Sequence, residues 1–232
     1  RLFYDDFTRI KDAEAYVYDA SGKEIKHFNK RDFKDVSAAD GISLYQDSRL
    51  LYLDYTPSSY PYTMVFSAEV DHTSTGFVYG WLPLGNYASS TKKSVYKLKF
   101  DPNNKPRIKT SNFEGYSISV TEKPSEYIYE ALNAPAIGYE NASRPFNEIA
   151  PLLKVALDKF YLKGVEANAK DWNEFGLWMQ KSLLDDVQEL PEATVIMIRN
   201  LVANETTNIG KARKIYQYLQ DKVRYISVQI GI

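Results

Sequence analysis

Two histidines, no cysteine and nineteen tyrosines set the chemistry open to this 232-residue chain. The missing thiol removes a cysteine nucleophile, disulfides and thiolate metal ligands from this stretch. His27 follows a hairpin strand, and His72 lies in Asp71-His72-Thr73-Ser74-Thr75. Neither has a second histidine nearby in sequence, so a surface or hydrogen-bonding role fits both better than acid–base catalysis. Asp35-Val36-Ser37-Ala38-Ala39-Asp40-Gly41 offers two carboxylates and a glycine without calcium-loop spacing, and reads as a turn with local side-chain caps. The neighbours Asp185 and Asp186 point to different helix faces and cannot pair as acid and base. Asn141-Ala142-Ser143 and Asn204-Glu205-Thr206 are sequons, which carry meaning only in a eukaryotic secretory context. The sequence assigns no catalytic residue, no cofactor and no metal ligand.

What remains is aromatic. "YTPSSYPYT" sets Tyr55, Tyr60 and Tyr62 around two prolines between strands. Proline stiffens the segment, and tyrosine offers a flat apolar face with a polar tip, suited to stacking on a sugar or a partner protein. The plainer alternative is tyrosine packing at a sheet edge. Trp81 in "YGWLPLG" poses the same choice, between a contact residue and a core plug beside an irregular bend.

Composition limits the partners. There are 29 basic and 30 acidic residues, well mixed, for a net charge of −1. No basic field exists for nucleic acid or anionic lipid. No apolar run approaches the ~20 residues of a membrane span. Hydrophobic residues at 44% and charged residues at 25% are ordinary for a globular protein. Aromatics at 14% lean towards pleated, half-buried β-structure. The first residue is arginine, so a cleaved leader is the expectation.

The elements that must position these residues follow from periodicity. "AYVYDASGKEIKHF" reads as a hairpin turning at Ser21-Gly22. Met64, Phe66, Ala68 and Val70 alternate with Val65, Ser67 and Glu69. Tyr96, Leu98 and Phe100 alternate before a turn at Asp101-Pro102-Asn103-Asn104, and Tyr116, Ile118 and Val120 before a break at Lys123-Pro124-Ser125. Met64, Phe66, Tyr96, Leu98, Phe100, Ile118 and Val120 are expected to be buried. "EYIYEAL" and "LLKVALDKFYL" are further strand candidates. The expected fold is mainly β, an antiparallel β-sandwich over 1–165 followed by a helical part over 166–232.

Near 165 the period changes to that of a helix. Asp171 and Glu174 form a capping box ahead of a stripe of Trp172, Phe175, Met179, Leu183 and Val187. Pro191 opens a second helix, running to about Asn204. A third, from Thr207 or Asn208, carries Ala212, Ile215, Leu219 and Val223, which should pack on Trp172, Phe175 and Met179. It runs into "YISVQI", a strand whose edges lack partners within 166–232. The expectation is a truncated domain with a frayed or intermolecularly paired last strand.

"GKARKIYQYLQDKVRYISVQIGI" resembles the start of a bacterial transglutaminase-like domain, through Val223-Arg224-Tyr225, Ile230 and Gly231. "AYVYDASGKEIKHF", "DGISLYQDSR" and "YPYTMVFSAEV" resemble the uncharacterised β-rich domain that precedes it in Gram-negative envelope proteins. The resemblance implies a catalytic cysteine in a Gly-Asp-Cys segment downstream, with histidine and aspartate beyond, and none of the three within this chain. It also implies a periplasmic or cell-envelope location, and the remainder of the transglutaminase-like domain as the chain's principal partner. Three functions follow as expectations. The first is a non-catalytic scaffold or recognition region of a larger cysteine acyl-transferase or peptidase-like protein, with an envelope protein as a further partner. The second is a glycan-binding module using exposed tyrosines. The third is a substrate-positioning part of an active enzyme.

Overall fold

The structure is a computed structural model and describes residues 1–38, 45–162, 164–185, 189–222 and 228–229. In chain order it forms β1 (Leu2–Tyr4), β2 (Thr8–Tyr18), β3 (Glu24–Phe28), β4 (Lys34–Ser37), β5 (Tyr45–Gln46), β6 (Arg49–Tyr52) and β7 (Thr63–His72). β8 (Thr91–Lys99), β9 (Arg107–Ser111), β10 (Ser117–Lys123) and β11 (Glu126–Ala134) follow. Then come α1 (Phe146–Ile149), β12 (Leu152–Ala156), β13 (Lys159–Leu162) and β14 (Val165–Asn168). Helices α2 (Trp172–Met179), α3 (Glu192–Val202) and α4 (Asn208–Lys222) precede β15 (Val228–Gln229). The protein is mainly β, with antiparallel sheets and a few helices towards the C-terminus. Two compact units result, one of 1–73 with 180–232 and one of 74–179.

In the first unit β2 lies between β3 and β7, both antiparallel to it. Its inward residues are Ile10, Ala13, Ala15 and Val17. A bulge between Ile10 and Asp12 shifts the alternation by one residue, which is how Ile10 and Ala13 reach the same side. The β2–β3 turn forms as expected. Gly22 takes φ +84°, and the Asp19 carboxylate accepts from the Ser21 amide, the Ser21 hydroxyl and the Lys23 amide. A second sheet orders β1-β6-β4. Ile10, Ala13 and Ala15 cluster with Phe33 and Leu51.

In the second unit β11 lies between β10 and β8, and Tyr127, Tyr129 and Ala131 point into a core with Trp81 and Leu153. Tyr96, Leu98, Phe100 and Ile118 pack against this core half-buried. The turn at Asp101 forms, its carboxylate accepting from the Asn103 amide. "LLKVALDKFYL" breaks into two strands, β12 paired with β9 and β13 with β14.

Three burial expectations fail. Met64, Phe66 and Val120 are 41%, 46% and 48% exposed. Alternation identifies the two faces of a strand, not which one is covered. β7 is an edge of its three-stranded sheet, and Val65 on its other face is also exposed. Val120 shares a face with Ile118 but lies beyond the residues that pack on Trp81, on an edge strand.

The second and third helices fall where the periodicity places them, while α2 ends at Met179 and Gln180–Leu184 form a π-helical turn, so the regular helix stops short of Leu183. Half of the expected capping box forms at α2: the Glu174 amide donates to Asp171, but the Glu174 carboxylate accepts from the Lys170 amide in place of that of Asp171. The inward residues of α2 are Phe175 and Trp178, which pack on Phe160 and Leu162 of β13, while Trp172 is 87% exposed. α4 packs on α3, with Ile215 half-buried and Ala212 and Leu219 on the exposed side. β15 has a partner in its own chain: Val228 and Gln229 pair in parallel with Tyr45 and Gln46. This replaces the expectation of an unpartnered last strand for those two residues. Ala39–Gly41, Asp186, Val187, Val223–Ser227 and Ile230–Ile232 lie outside the described residues.

Candidate functional site

The chemistry available is best developed in the second unit. β13 ends at Leu162, and the loop at Thr75-Gly76 runs against it, both amides donating to the Tyr161 carbonyl. The approach is close enough that a Cβ at Gly76 would lie 3.2 Å from Leu162 Cδ1 and 3.3 Å from Phe160 Cδ2. Facing this wall, the capped N-terminal turn of α2 presents Trp172 and Phe175. Between them lies a cleft of about 550 Å³, lined by Gly76, Phe77, Arg107, Ala156, Leu157, Phe160, Ala169, Lys170, Asp171, Trp172 and Phe175. Its aromatic rings brace one another. Trp172 meets Phe175 edge-to-face at 5.9 Å, Phe175 stacks on Phe160 at 6.1 Å, and Trp178 closes against both from behind. The Trp178 indole donates to the Glu166 carbonyl, which fixes it. Phe77 and Trp172 stand at the mouth, 80% and 87% exposed. Arg107 is held by Asp158 at 2.8 Å and donates to the Lys170 carbonyl at 2.9 Å. A volume of this size with apolar walls and few polar groups has the make-up of a binding pocket. Of its residues the sequence singled out Trp172 and Phe175 as helix-stripe positions and Asp171 as a cap. The signal that would have exposed the site was the aromatic spacing of "WNEFGLWM" beside an isolated "GF".

The first unit holds a more polar recess of about 430 Å³, lined among others by Tyr4, Asp5, Asp6, Arg9, Lys30 and Asp35. Asp35 and Lys30 are tied into the fold. Tyr4 donates to Asp35 at 2.7 Å, and Arg49 donates to both Tyr4 and Asp35. The Tyr4 hydroxyl and then Arg49 hold the Asp35 carboxyl below its ordinary range, and Asp35 pushes the Tyr4 phenol up. The Lys30 ammonium donates to the Ile10 carbonyl. This is a cross-strand brace rather than a poised base and nucleophile.

The tyrosine cluster spreads out. Tyr60 is 77% exposed, Tyr62 is 36% exposed and Tyr55 is half-buried. Tyr60 and Tyr62 meet at 66°, Tyr55 and Tyr62 at 70°, so no two rings form a flat platform. Trp81 is a core plug. It is 6% exposed, its indole donates to Ser94, and its backbone pairs with Leu153 in both directions. The structure therefore separates the four residues, leaving Tyr60 and Tyr62 on the surface and Trp81 inside. His72 Nδ1 lies 3.2 Å from the Thr8 hydroxyl, and His27 stacks on Tyr16 at 4.1 Å. Among the described residues no group of three histidine, aspartate or glutamate side chains could hold a metal ion, and no helix is long and apolar enough to cross a membrane.

Residues 1–137 match DUF3857, described as a domain of unknown function with a solved structure. The fold is also similar to a crystal structure described as a "putative protease" from Parabacteroides distasonis ATCC 8503. The TM-score is 0.61 at 12% identity, over 95% of this chain and 42% of that one. The chain thus spans less than half the length of that structure. No curated protein matches the sequence.

Proposed function

The chain belongs to the DUF3857 family, and from that premise we propose that it is the non-catalytic recognition region of a larger, peptidase-like or transglutaminase-like cell-envelope protein. The reading rests on the aromatic cleft, whose two mouth residues are exposed and whose inner rings are fixed by packing. Exposed aromatics over a preformed apolar pocket favour capture of a ligand over catalysis on it. The likeness in fold to a longer chain described as a "putative protease" agrees with a part that binds while the chemistry lies elsewhere. Edge-to-face tyrosines and a cleft poor in free polar side chains favour a protein partner or substrate over a glycan.

The test uses the whole gene product that carries this chain, assayed on fluorescently labelled casein. Trp172→Ala should raise KM several-fold and leave kcat unchanged, because it removes binding shared by ground and transition states. An unchanged KM would overturn the recognition role. Turnover by the 232-residue chain alone, abolished by one substitution within it, would overturn the non-catalytic one.

A further inference from the structure

An open strand edge presents a row of unpaired main-chain donors and acceptors, which natural sheets block with charged side chains or proline. The edge strands of the sheets built on β2 and β11 are not defended alike. β3 carries Glu24 and Lys26, β8 carries Lys92, Lys93, Lys97 and Lys99, and β10 alternates serine before Glu122 and Lys123. β7 lacks such a block over its first part: no charged residue lies between Asp54 and Glu69, and Pro61 precedes the strand. Among the described residues Thr63–Asp71 make no main-chain bond outside the ladder with β2. Met64, Phe66 and Ala68 continue the covered face of Val17, Ala15 and Ala13 across that ladder, yet all three are exposed, as is Val65 on the opposite face.

Such an edge accepts an extended strand, and β7 is complementary to itself. Two copies running antiparallel about a twofold axis at Phe66 set Met64 opposite Ala68, Phe66 opposite Phe66 and Val65 opposite Ser67. A large side chain then meets a small one on each side of a central aromatic pair. Glu69 falls opposite Thr63, and no carboxylate faces another. Moving the axis by one residue would seat Glu69 on Val65 or on Pro61, which has no amide hydrogen to give. Pairing of Thr63–Glu69 in both copies, with Met64, Val65 and Phe66 covered, removes on the order of 1,000 Å² from water, the lower bound for a specific interface.

We infer that β7 is the edge through which two copies of this chain pair, antiparallel and centred on Phe66, to give one continuous sheet ordered β3-β2-β7-β7-β2-β3. The pairing closes on itself, because it uses both open edges and leaves the charged β3 at either margin. It stands apart from the recognition role proposed for the cleft.

Sedimentation velocity of the 232-residue chain over a roughly hundredfold range of concentration tests it, since association follows mass action. A monomer–dimer equilibrium is expected, and Val65→Lys, which places a charge on the edge, should weaken it about tenfold or more. Val65 faces away from the core, so this variant should keep the wild-type melting curve by circular dichroism. The chain has no cysteine, so a single introduced thiol can link only to its own twin. On mild oxidation Phe66→Cys should give a disulfide-linked dimer. Glu69→Cys should not, because its twin lies along the ladder beyond the ~7 Å between Cα atoms that a disulfide spans. A chain that stays monomeric throughout, species larger than a dimer, a dimer indifferent to Val65→Lys, or equal cross-linking at positions 66 and 69 would each overturn the inference.

Discussion

At the scale of single residues, the clearest electrostatic feature is one the periodicity did not mark. Asp35 was read as part of a turn, yet it sits on β4 and is shared by Tyr4 of β1 and Arg49 of β6. Its neighbours hold the folded-state carboxyl below the unfolded value. Stability from this group is therefore fully present above the unfolded carboxylate range, about pH 4, and is lost as pH falls through the lower folded value. Urea midpoints measured between pH 2 and 6 should fall more steeply for the wild type than for Asp35→Asn. Parallel curves would show that the network contributes nothing to acid stability. Tyr4 behaves in the opposite sense: its raised pKa gives stability that is lost only on the alkaline side, as pH rises through the folded value. None of this was legible in the sequence, because the three partners come from three strands and only cross-strand register brings them together.

At the scale of elements, turns and caps were legible because they are local. The Ser21-Gly22 hairpin turn, the Asp101 turn and the Asp171–Glu174 cap each join residues within a few positions of one another. Asp171→Ala should cost about 1 kcal/mol by thermal or urea unfolding and should fray the first turn of α2. The bend at Gly80 is another matter. A Cβ there would lie 2.2 Å from the Leu153 carbonyl oxygen, at the point where Trp81 and Leu153 exchange backbone hydrogen bonds. Backbone cannot yield as a flexible side chain can, so Gly80→Ala should destabilise the protein by about 3 kcal/mol, the upper end for overpacking. A cost under about 1 kcal/mol would mean that the bend relaxes freely. Leu153→Ala, which empties a fully buried site in the same core, should cost about 2–5 kcal/mol.

At the scale of the molecule, the two-residue ladder between β5 and β15 joins positions far apart in sequence, by only Val228–Tyr45 and Gln229–Gln46. So short a pairing should open readily, and hydrogen exchange there should be far faster than at β11, whose ladder with β8 runs from Glu126 to Ala134. Comparable protection at both would show that the short ladder opens only with its unit. The sequence by itself determined the dominance of β-structure, the helices after 165, and the local turns and caps, because each depends on neighbours along the chain. It also removed a thiol nucleophile, since composition needs no fold. Only the tertiary structure decided which strand faces are covered, so that Tyr127 and Tyr129 are inside while Met64 and Phe66 are not. It alone decided that Trp81 is a core plug and that Phe77, Phe160 and Trp172 share one cleft. Burial depends on what lies across from a face, and a cleft on which distant segments meet. Neither is encoded in the spacing of residues along a single strand or helix.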